Sequence, residues 1–277
     1  MPTVALPDGA RVAALGMGTW HMGERAARRK SEVAALRAGI DLGMTLIDTA
    51  EMYGDGGAEE VVGDAIAGRR DQIFIVSKVY PHNAGAQSAI AACERSLARL
   101  RTDRLDCYLL HWPGRIPLHE TVDAFERLRR DGKILRWGVS NFDVDDMSKL
   151  LKLDRGRFCA TNQVLFSLAE RAAEWRLLAL LHERRMPLMA YSPVGQGELL
   201  RNRKLASIAK QASLTPAQLA LAWVLHRRDV IAIPQSGNIA HIRENRQAAD
   251  ARLDAPTLRA LDEAFPPPRR ATRLSVI

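Results

Sequence analysis

An acid, a phenol, an amine and an imidazole each sit at or just beyond the end of an apolar run. Asp48 closes Leu46-Ile47-Asp48, Tyr53 lies five residues on, Lys78 follows Ile73-Phe74-Ile75-Val76-Ser77, and His111 follows Cys107-Tyr108-Leu109-Leu110. A carbonyl that accepts a hydride needs a proton on its oxygen as negative charge builds there. Tyr53 can give that proton. An ammonium at Lys78 would lower the phenol pKa, Asp48 within salt-bridge reach would keep Lys78 charged, and His111 can orient the carbonyl oxygen by hydrogen bonding. Taken singly, an Asp before a turn is an ordinary cap and a Lys ending a strand an ordinary solvent-facing cation. Joint placement at strand ends is what points to proton transfer.

For the four to meet, their runs must be parallel neighbours whose ends share one face. The chain opens on a hairpin pattern, 3–6 and 11–12 around Pro7-Asp8-Gly9, and then alternates strand-like with helix-like segments. Eight strands are predicted at 15–19, 45–48, 73–78, 105–111, 134–140, 159–164, 187–192 and 230–234. Helical spacing between them, such as Val33, Leu36 and Ile40 or Ile90, Cys93, Leu97 and Leu100, places apolar side chains on one face. Gly43, Gly68 and Gly132 stand where helices should stop, and Thr215-Pro216 reads as a cap and first-turn proline. Eight βα units favour an α/β fold of the (β/α)₈ TIM-barrel type with a short N-terminal hairpin, as a single domain over 1–277, and such barrels do their chemistry at the C-terminal mouth. Gly16-Met17-Gly18 superficially suggests a dinucleotide loop, but no helix is predicted directly after it, which argues against a doubly wound sheet.

Composition fits one barrel. The 277 residues suit that size, and the hydrophobic fraction of 47% contains no uninterrupted run long enough to span a bilayer. No secretory leader is readable in 1–20, so the cytoplasm is the expected compartment. Cys93, Cys107 and Cys159 are too few and scattered for a disulfide framework or metal knuckle, and are expected to be reduced core thiols. The net charge of +8 comes mostly from arginines dispersed along helices, without interleaved aromatics, and reads as solvated helix faces rather than a nucleic-acid surface.

Four stretches, Asp48-Thr49-Ala50-Glu51-Met52-Tyr53-Gly54, Val76-Ser77-Lys78, Leu109-Leu110-His111-Trp112 and Gly138-Val139-Ser140-Asn141-Phe142, taken in order, resemble the aldo-keto reductases. The resemblance runs from about Gly16 to Pro268 and is closest to compact bacterial members that reduce small aldehydes such as methylglyoxal. It implies a barrel that uses a nicotinamide cofactor, NADPH with NADH as the alternative, without metal or flavin, acting as a monomer on small carbonyl substrates. Carried over by position, Ser140, Asn141 and Gln163 would hydrogen-bond the nicotinamide carboxamide and Tyr191 would stack on its ring. Ser192, Pro193, Val194 and Gly195 would line the pyrophosphate, and Gly18 and Thr19 would contact the cofactor from the first strand. Trp20 and Trp112 would wall the substrate pocket.

The departure lies at Gln235, Ser236, Asn238 and His241. Many NADPH-using relatives place a lysine where Gln235 stands and an arginine where His241 stands, the two cations that grip the 2′-phosphate. Glutamine and neutral histidine attract a phosphate less than charged donors do, and Arg243 compensates only if its side chain turns inward. Asn245 keeps the family's spacing from Pro234 and is expected at the adenine. Two other functions compete: a Schiff-base lyase acting through Lys78, and a cofactor-binding regulatory subunit that keeps the fold. The charged partnership with Asp48 argues against the first.

Overall fold

The computed structural model describes residues 1–277. Eight parallel strands follow one another round a single sheet: β3 (Met17–Gly18), β4 (Leu46–Asp48), β5 (Phe74–Val79), β6 (Cys107–Leu110), β7 (Trp137–Ser140), β8 (Cys159–Leu165), β9 (Leu188–Tyr191) and β10 (Val230–Ala232). The ends of the sheet meet. Gly16 N–H donates to Ala232 O at 2.8 Å, Ala232 N–H to Ala14 O at 2.8 Å and Gly18 N–H to Pro234 O at 3.0 Å, which closes the barrel. Closure requires close backbone approach, and a Cβ on Gly18 would stand 2.8 Å from Ile233 O. All eight predicted strands are present, several shorter than the apolar runs that announced them.

The two-residue strand period sorts side chains into two separate cores. Leu46, Val76, Cys107, Leu109, Met189, Ile231 and Ile233 cluster inside the barrel, whereas Ile47, Ile75, Tyr108, Leu110, Val139, Leu188, Ala190 and Ala232 belong to the larger core under the helices. Gly138 makes room inside, since a Cβ there would meet Leu109 Cδ2 at 2.9 Å. The predicted hairpin, β1 (Thr3–Ala5) and β2 (Arg11–Ala13), joins the interior cluster through Val4, Leu6 and Val12. Each such burial stabilises the fold by about 1.5–3 kcal/mol and seals the end of the barrel away from the chemistry.

Ten helices accompany the strands: α1 (Arg29–Asp41), α2 (Gly57–Ile66), α3 (Ser88–Leu100), α4 (Leu118–Arg130), α5 (Val144–Leu151), α6 (Leu177–Glu183), α7 (Arg203–Gln211), α8 (Pro216–His226), α9 (Ile239–Ala248) and α10 (Ala255–Ala264). Their ends obey local chemistry. Gly43 and Gly132, just past α1 and α4, take φ of 85° and 73°, and Thr215 and Gln218 form a reciprocal capping box on α8. A loop, residues 19–25, and a 3₁₀ turn, Ala26–Arg28, separate Gly16-Met17-Gly18 from α1, unlike a dinucleotide-binding turn in which the helix follows at once.

The helical arginines behave as solvated charge. Arg25, Arg28, Arg127 and Arg130 are exposed, while half-buried Arg29 bridges Glu60 and Asp64 at 2.8 Å each. All three cysteines are free and buried, and burial pushes the thiols of Cys93 and Cys159 up to about 12. No helix is long and apolar enough to cross a membrane.

Candidate active site

Strand parity aims three of the four chemical residues at one mouth, and the 3₁₀ turn Tyr53–Gly56 in the loop after β4 brings the fourth, Tyr53, to them. On β4, Leu46 and Asp48 face inward; on β5, Val76 and Lys78 do; beyond β6, His111 continues the inward series of Cys107 and Leu109. The lower members make the apolar interior and the last polar member of each series reaches the mouth.

Lys78 is fully buried and commits all three ammonium protons. Its Nζ lies 2.8 Å from Asp48 Oδ2, 2.9 Å from Thr49 O and 3.1 Å from Tyr53 Oη. Burial opposes the charge, but the Asp48 carboxylate and the Tyr53 phenol outweigh it and hold the amine above the ordinary lysine range. Burial raises the Asp48 carboxyl, and Lys78 and the Gln163 amide oppose that rise. Tyr53 departs from the sequence expectation. Lys78 does pull its pKa down, yet desolvation outweighs that pull and leaves the phenol above its ordinary value. The resting site therefore holds a protonated phenol.

His111 stands beside the phenol, ring centroids 5.7 Å apart and 74° from parallel. Burial, with Lys78 nearby, pushes its imidazole down to about 2, and its buried Nδ1 has no protein partner. A neutral ring can hydrogen-bond a carbonyl oxygen without competing as a proton donor.

A polar belt surrounds the tetrad. Thr19 Oγ1 donates to Asp48 O at 3.0 Å, Gln163 Nε2 donates to Asp48 Oδ1 at 2.7 Å, and Ser140 Oγ donates to Gln163 O at 2.8 Å. Asn141 stands in the left-handed region (φ 61°), a conformation asparagine tolerates. From there its Nδ2 donates to His111 O at 3.1 Å and its Oδ1 accepts from Tyr191 Oη at 2.9 Å. Six strand ends, those of β3, β4, β6, β7, β8 and β9, are thus stitched by side chains whose types suit an amide and a flat ring. Ser192 also takes a left-handed φ of 46° and opens the turn Ser192-Pro193-Val194-Gly195. Such strain in a non-glycine residue is retained where surrounding structure imposes it.

The second group lies beyond β10 and joins the first through Gly18, which bridges to Gln235. Ser236 is buried and Gln235, Asn238 and His241 are exposed, with Ser236 Oγ 3.5 Å from His241 Nδ1. Asn238 is less free than expected: its Oδ1 caps α9 by accepting from Ala240 N–H at 2.8 Å. Arg243 points to solvent rather than inward, and Asn245 is buried. No lysine or arginine replaces the missing pair at Gln235 and His241.

Trp20 and Trp112 are both half-buried. Trp20 stacks on His21 at 4.2 Å, while Trp112 lies 4.8 Å from His111. Tyr80 was absent from the expected pocket, yet its ring meets Trp112 edge-on at 5.7 Å and lies 6.5 Å from His111. Its signal was parity, since residue 80 continues the inward series of 76 and 78 past the end of β5. Glu51, read only as part of a motif, has its carboxylate buried behind this wall.

Similarity to known proteins agrees with the geometry. The Aldo/keto reductase family profile matches residues 14–265. The chain is 53% identical to methylglyoxal reductase YeaE of Escherichia coli over 269 residues, 95% of each chain, and 35% identical to glyoxal reductase of Bacillus subtilis over 94% of this chain and 91% of that one. A crystal structure of an aldo/keto reductase from Klebsiella pneumoniae in complex with NADP and acetate superposes with a TM-score of 0.97 at 51% identity, covering 99% of both chains. With its closed eight-stranded barrel and its acid, phenol, amine and imidazole at one mouth, this chain belongs to the aldo/keto reductase family.

Proposed function

We propose that the protein is an NADPH-dependent reductase of small aldehydes and ketones, of the methylglyoxal and glyoxal class, acting as a single barrel unit. The observation that carries this reading is the bond from Lys78 Nζ to Tyr53 Oη, 3.1 Å, with Asp48 behind it and His111 beside it. Names borne by the similar proteins, two dicarbonyl reductases and an NADP complex, support the same substrate and cofactor.

The residues present fit a nicotinamide. Gln163 keeps its Oε1 for an amide after giving Nε2 to Asp48, and the Tyr191 ring is held at the end of β9 by its hydroxyl. Ser140, Asn141 and Gln163 would hold the carboxamide, Tyr191 the ring, 192–195 the pyrophosphate with Gly18 and Thr19 opposite, and Gln235, Ser236, His241 and Asn245 the adenosine end. Asn238 would shape that end as the cap of α9. The cofactor, when bound, supplies the hydride.

The protein's own part is the proton. His111 donates an N–H to the carbonyl oxygen and fixes its direction, with Trp20 and Trp112 walling the substrate. As negative charge grows on that oxygen it becomes far more basic than a phenolate, and Tyr53 gives up its proton. The phenolate left behind faces Lys78, whose charge stabilises it and is itself maintained by Asp48. Because Lys78 has no free donor and is held protonated, it is a poor nucleophile, which disfavours the Schiff-base lyase.

The same reading makes the enzyme a cytoplasmic monomer without nucleic-acid partners, in keeping with its scattered surface arginines. The decisive experiment is turnover of methylglyoxal with NADPH, followed by loss of reduced-nicotinamide absorbance. Cofactor binding without turnover across a broad aldehyde panel would favour the regulatory subunit instead.

A further inference from the structure

Glu51 lies two residues before Tyr53 in the loop that leaves β4, and only 8% of it is exposed. The proton relay makes no use of it. A buried carboxylate is costly unless strong hydrogen bonds repay its lost hydration, so the direction of those bonds is informative. Oε1 accepts from the Tyr80 backbone N–H at 2.8 Å and from Asn83 Nδ2 at 3.1 Å, and Oε2 lies 3.7 Å from the Arg95 guanidinium. The Glu51 N–H in turn donates to Lys78 O at 3.4 Å. The loop bearing the phenol is thereby tied to the turn after β5, at the residue whose ring stands against Trp112 and near His111.

We propose that Glu51 is a positioning residue for the substrate: by holding the Tyr80 backbone it fixes the Tyr80–Trp112 wall at its distance from His111, and so sets the grip on a small carbonyl. The inference rests on the reductase reading above. Removing the carboxylate strips acceptors from the Tyr80 amide and the Asn83 side chain and frees the turn, while Asp48, Lys78, Tyr53 and His111 keep every bond they make with one another. A small substrate has few contacts, so an ångström of play in one wall is felt chiefly in how tightly it is held.

The test compares Glu51→Ala with Glu51→Gln, using methylglyoxal and NADPH. Glu51→Ala should raise KM about tenfold with kcat within about threefold of wild type, and leave the NADPH Kd, read by fluorescence titration, unchanged. Glutamine retains an oxygen for the Tyr80 N–H, so Glu51→Gln should restore KM to within about threefold. Tyr80→Ala should raise KM similarly, and the double variant Glu51→Ala/Tyr80→Ala should be no worse than Tyr80→Ala alone, because both act through one wall. A loss confined to kcat, a glutamine variant as impaired as alanine, or fully additive effects would overturn the proposal. Should Glu51→Ala fail to fold, Glu51→Asp decides: its carboxylate is withdrawn by one methylene, and an unchanged KM overturns the role. Absence of turnover in the wild-type protein is a separate result and counts against the reductase reading itself.

Discussion

The Gln163 amide donates to Asp48 Oδ1 over 2.7 Å while Lys78 takes the opposite oxygen at 2.8 Å. One carboxylate is thus held from β8 and from β5 together, and the side chain expected to meet the nicotinamide carboxamide is also a partner of the acid's support. On the proposed cofactor placement, binding and proton transfer share a residue here. Gln163→Leu leaves Asp48 with one side-chain partner and a buried oxygen unsatisfied. The expected result is weaker NADPH binding together with a fall in kcat, read by fluorescence titration and steady-state kinetics on the same preparation. Loss of binding alone would mean that the bond to Asp48 is incidental.

Tyr53→Phe removes the proton and keeps the ring. NADPH should bind as in wild type, while kcat/KM for a small aldehyde should fall by about 10²–10⁴-fold, the range that a positioned general acid contributes. Wild-type-like turnover would sink the assignment.

The buried ion pair is a matter of stability as well as catalysis. Lys78→Met strands Asp48 as an unpaired buried charge, which costs about 3–5 kcal/mol, whereas Asp48→Asn/Lys78→Met removes both charges and should recover much of that loss. Urea unfolding of the two variants checks the order. Neither variant should regain activity, because the phenolate has lost its ammonium.

His111 gives the fold a pH dependence with a definite sign. Its native pKa, about 2, lies below the unfolded value of 6.5, so the native ring stays neutral where the unfolded ring takes up a proton. Stability is therefore fully present above about pH 6.5 and is lost as pH falls from there toward about 2, by up to about 1.4 kcal/mol per pH unit for one proton. His111→Gln should flatten that slope by about one proton in urea titrations between about pH 7 and pH 5. An unchanged slope would show that the imidazole is not buried neutral.

Much of this was legible in the sequence because strands advertise themselves twice. Runs such as Ile73-Phe74-Ile75-Val76-Ser77-Lys78 declare a buried strand, and the polar residue that ends each run marks the mouth. Glycines 43, 68 and 132 marked helix ends through backbone geometry, and the Thr215-Pro216 pair through a side-chain cap and a first-turn proline. What escaped depended on contacts distant in sequence. Tyr80 lies beyond the assigned strand, and only packing against Trp112 makes it part of the wall. The bonds from Glu51 to Tyr80 and Asn83 and from Gln163 to Asp48 span 29, 32 and 115 residues. The direction of the Tyr53 shift was likewise hidden, since spacing shows that an ammonium is near but not how thoroughly water is excluded.

Cofactor selection is open to engineering at two positions. Gln235 and His241 flank buried Ser236 at the start of α9, and neither brings a permanent charge to a 2′-phosphate. Wild type should prefer NADPH over NADH by a modest margin, with tighter NADH binding overturning that choice of cofactor. Gln235→Lys with His241→Arg supplies charge-assisted bonds, each worth about 1.5–3 kcal/mol against about 1 for a neutral one, at the phosphate and nowhere else on the cofactor. The double variant should therefore tighten NADPH by about tenfold or more and leave the NADH Kd nearly unchanged. The gain should shrink as salt is raised, because both positions are exposed. Equal tightening of both cofactors would place the 2′-phosphate away from these residues and redirect attention to Arg243, which points to solvent two residues further along α9.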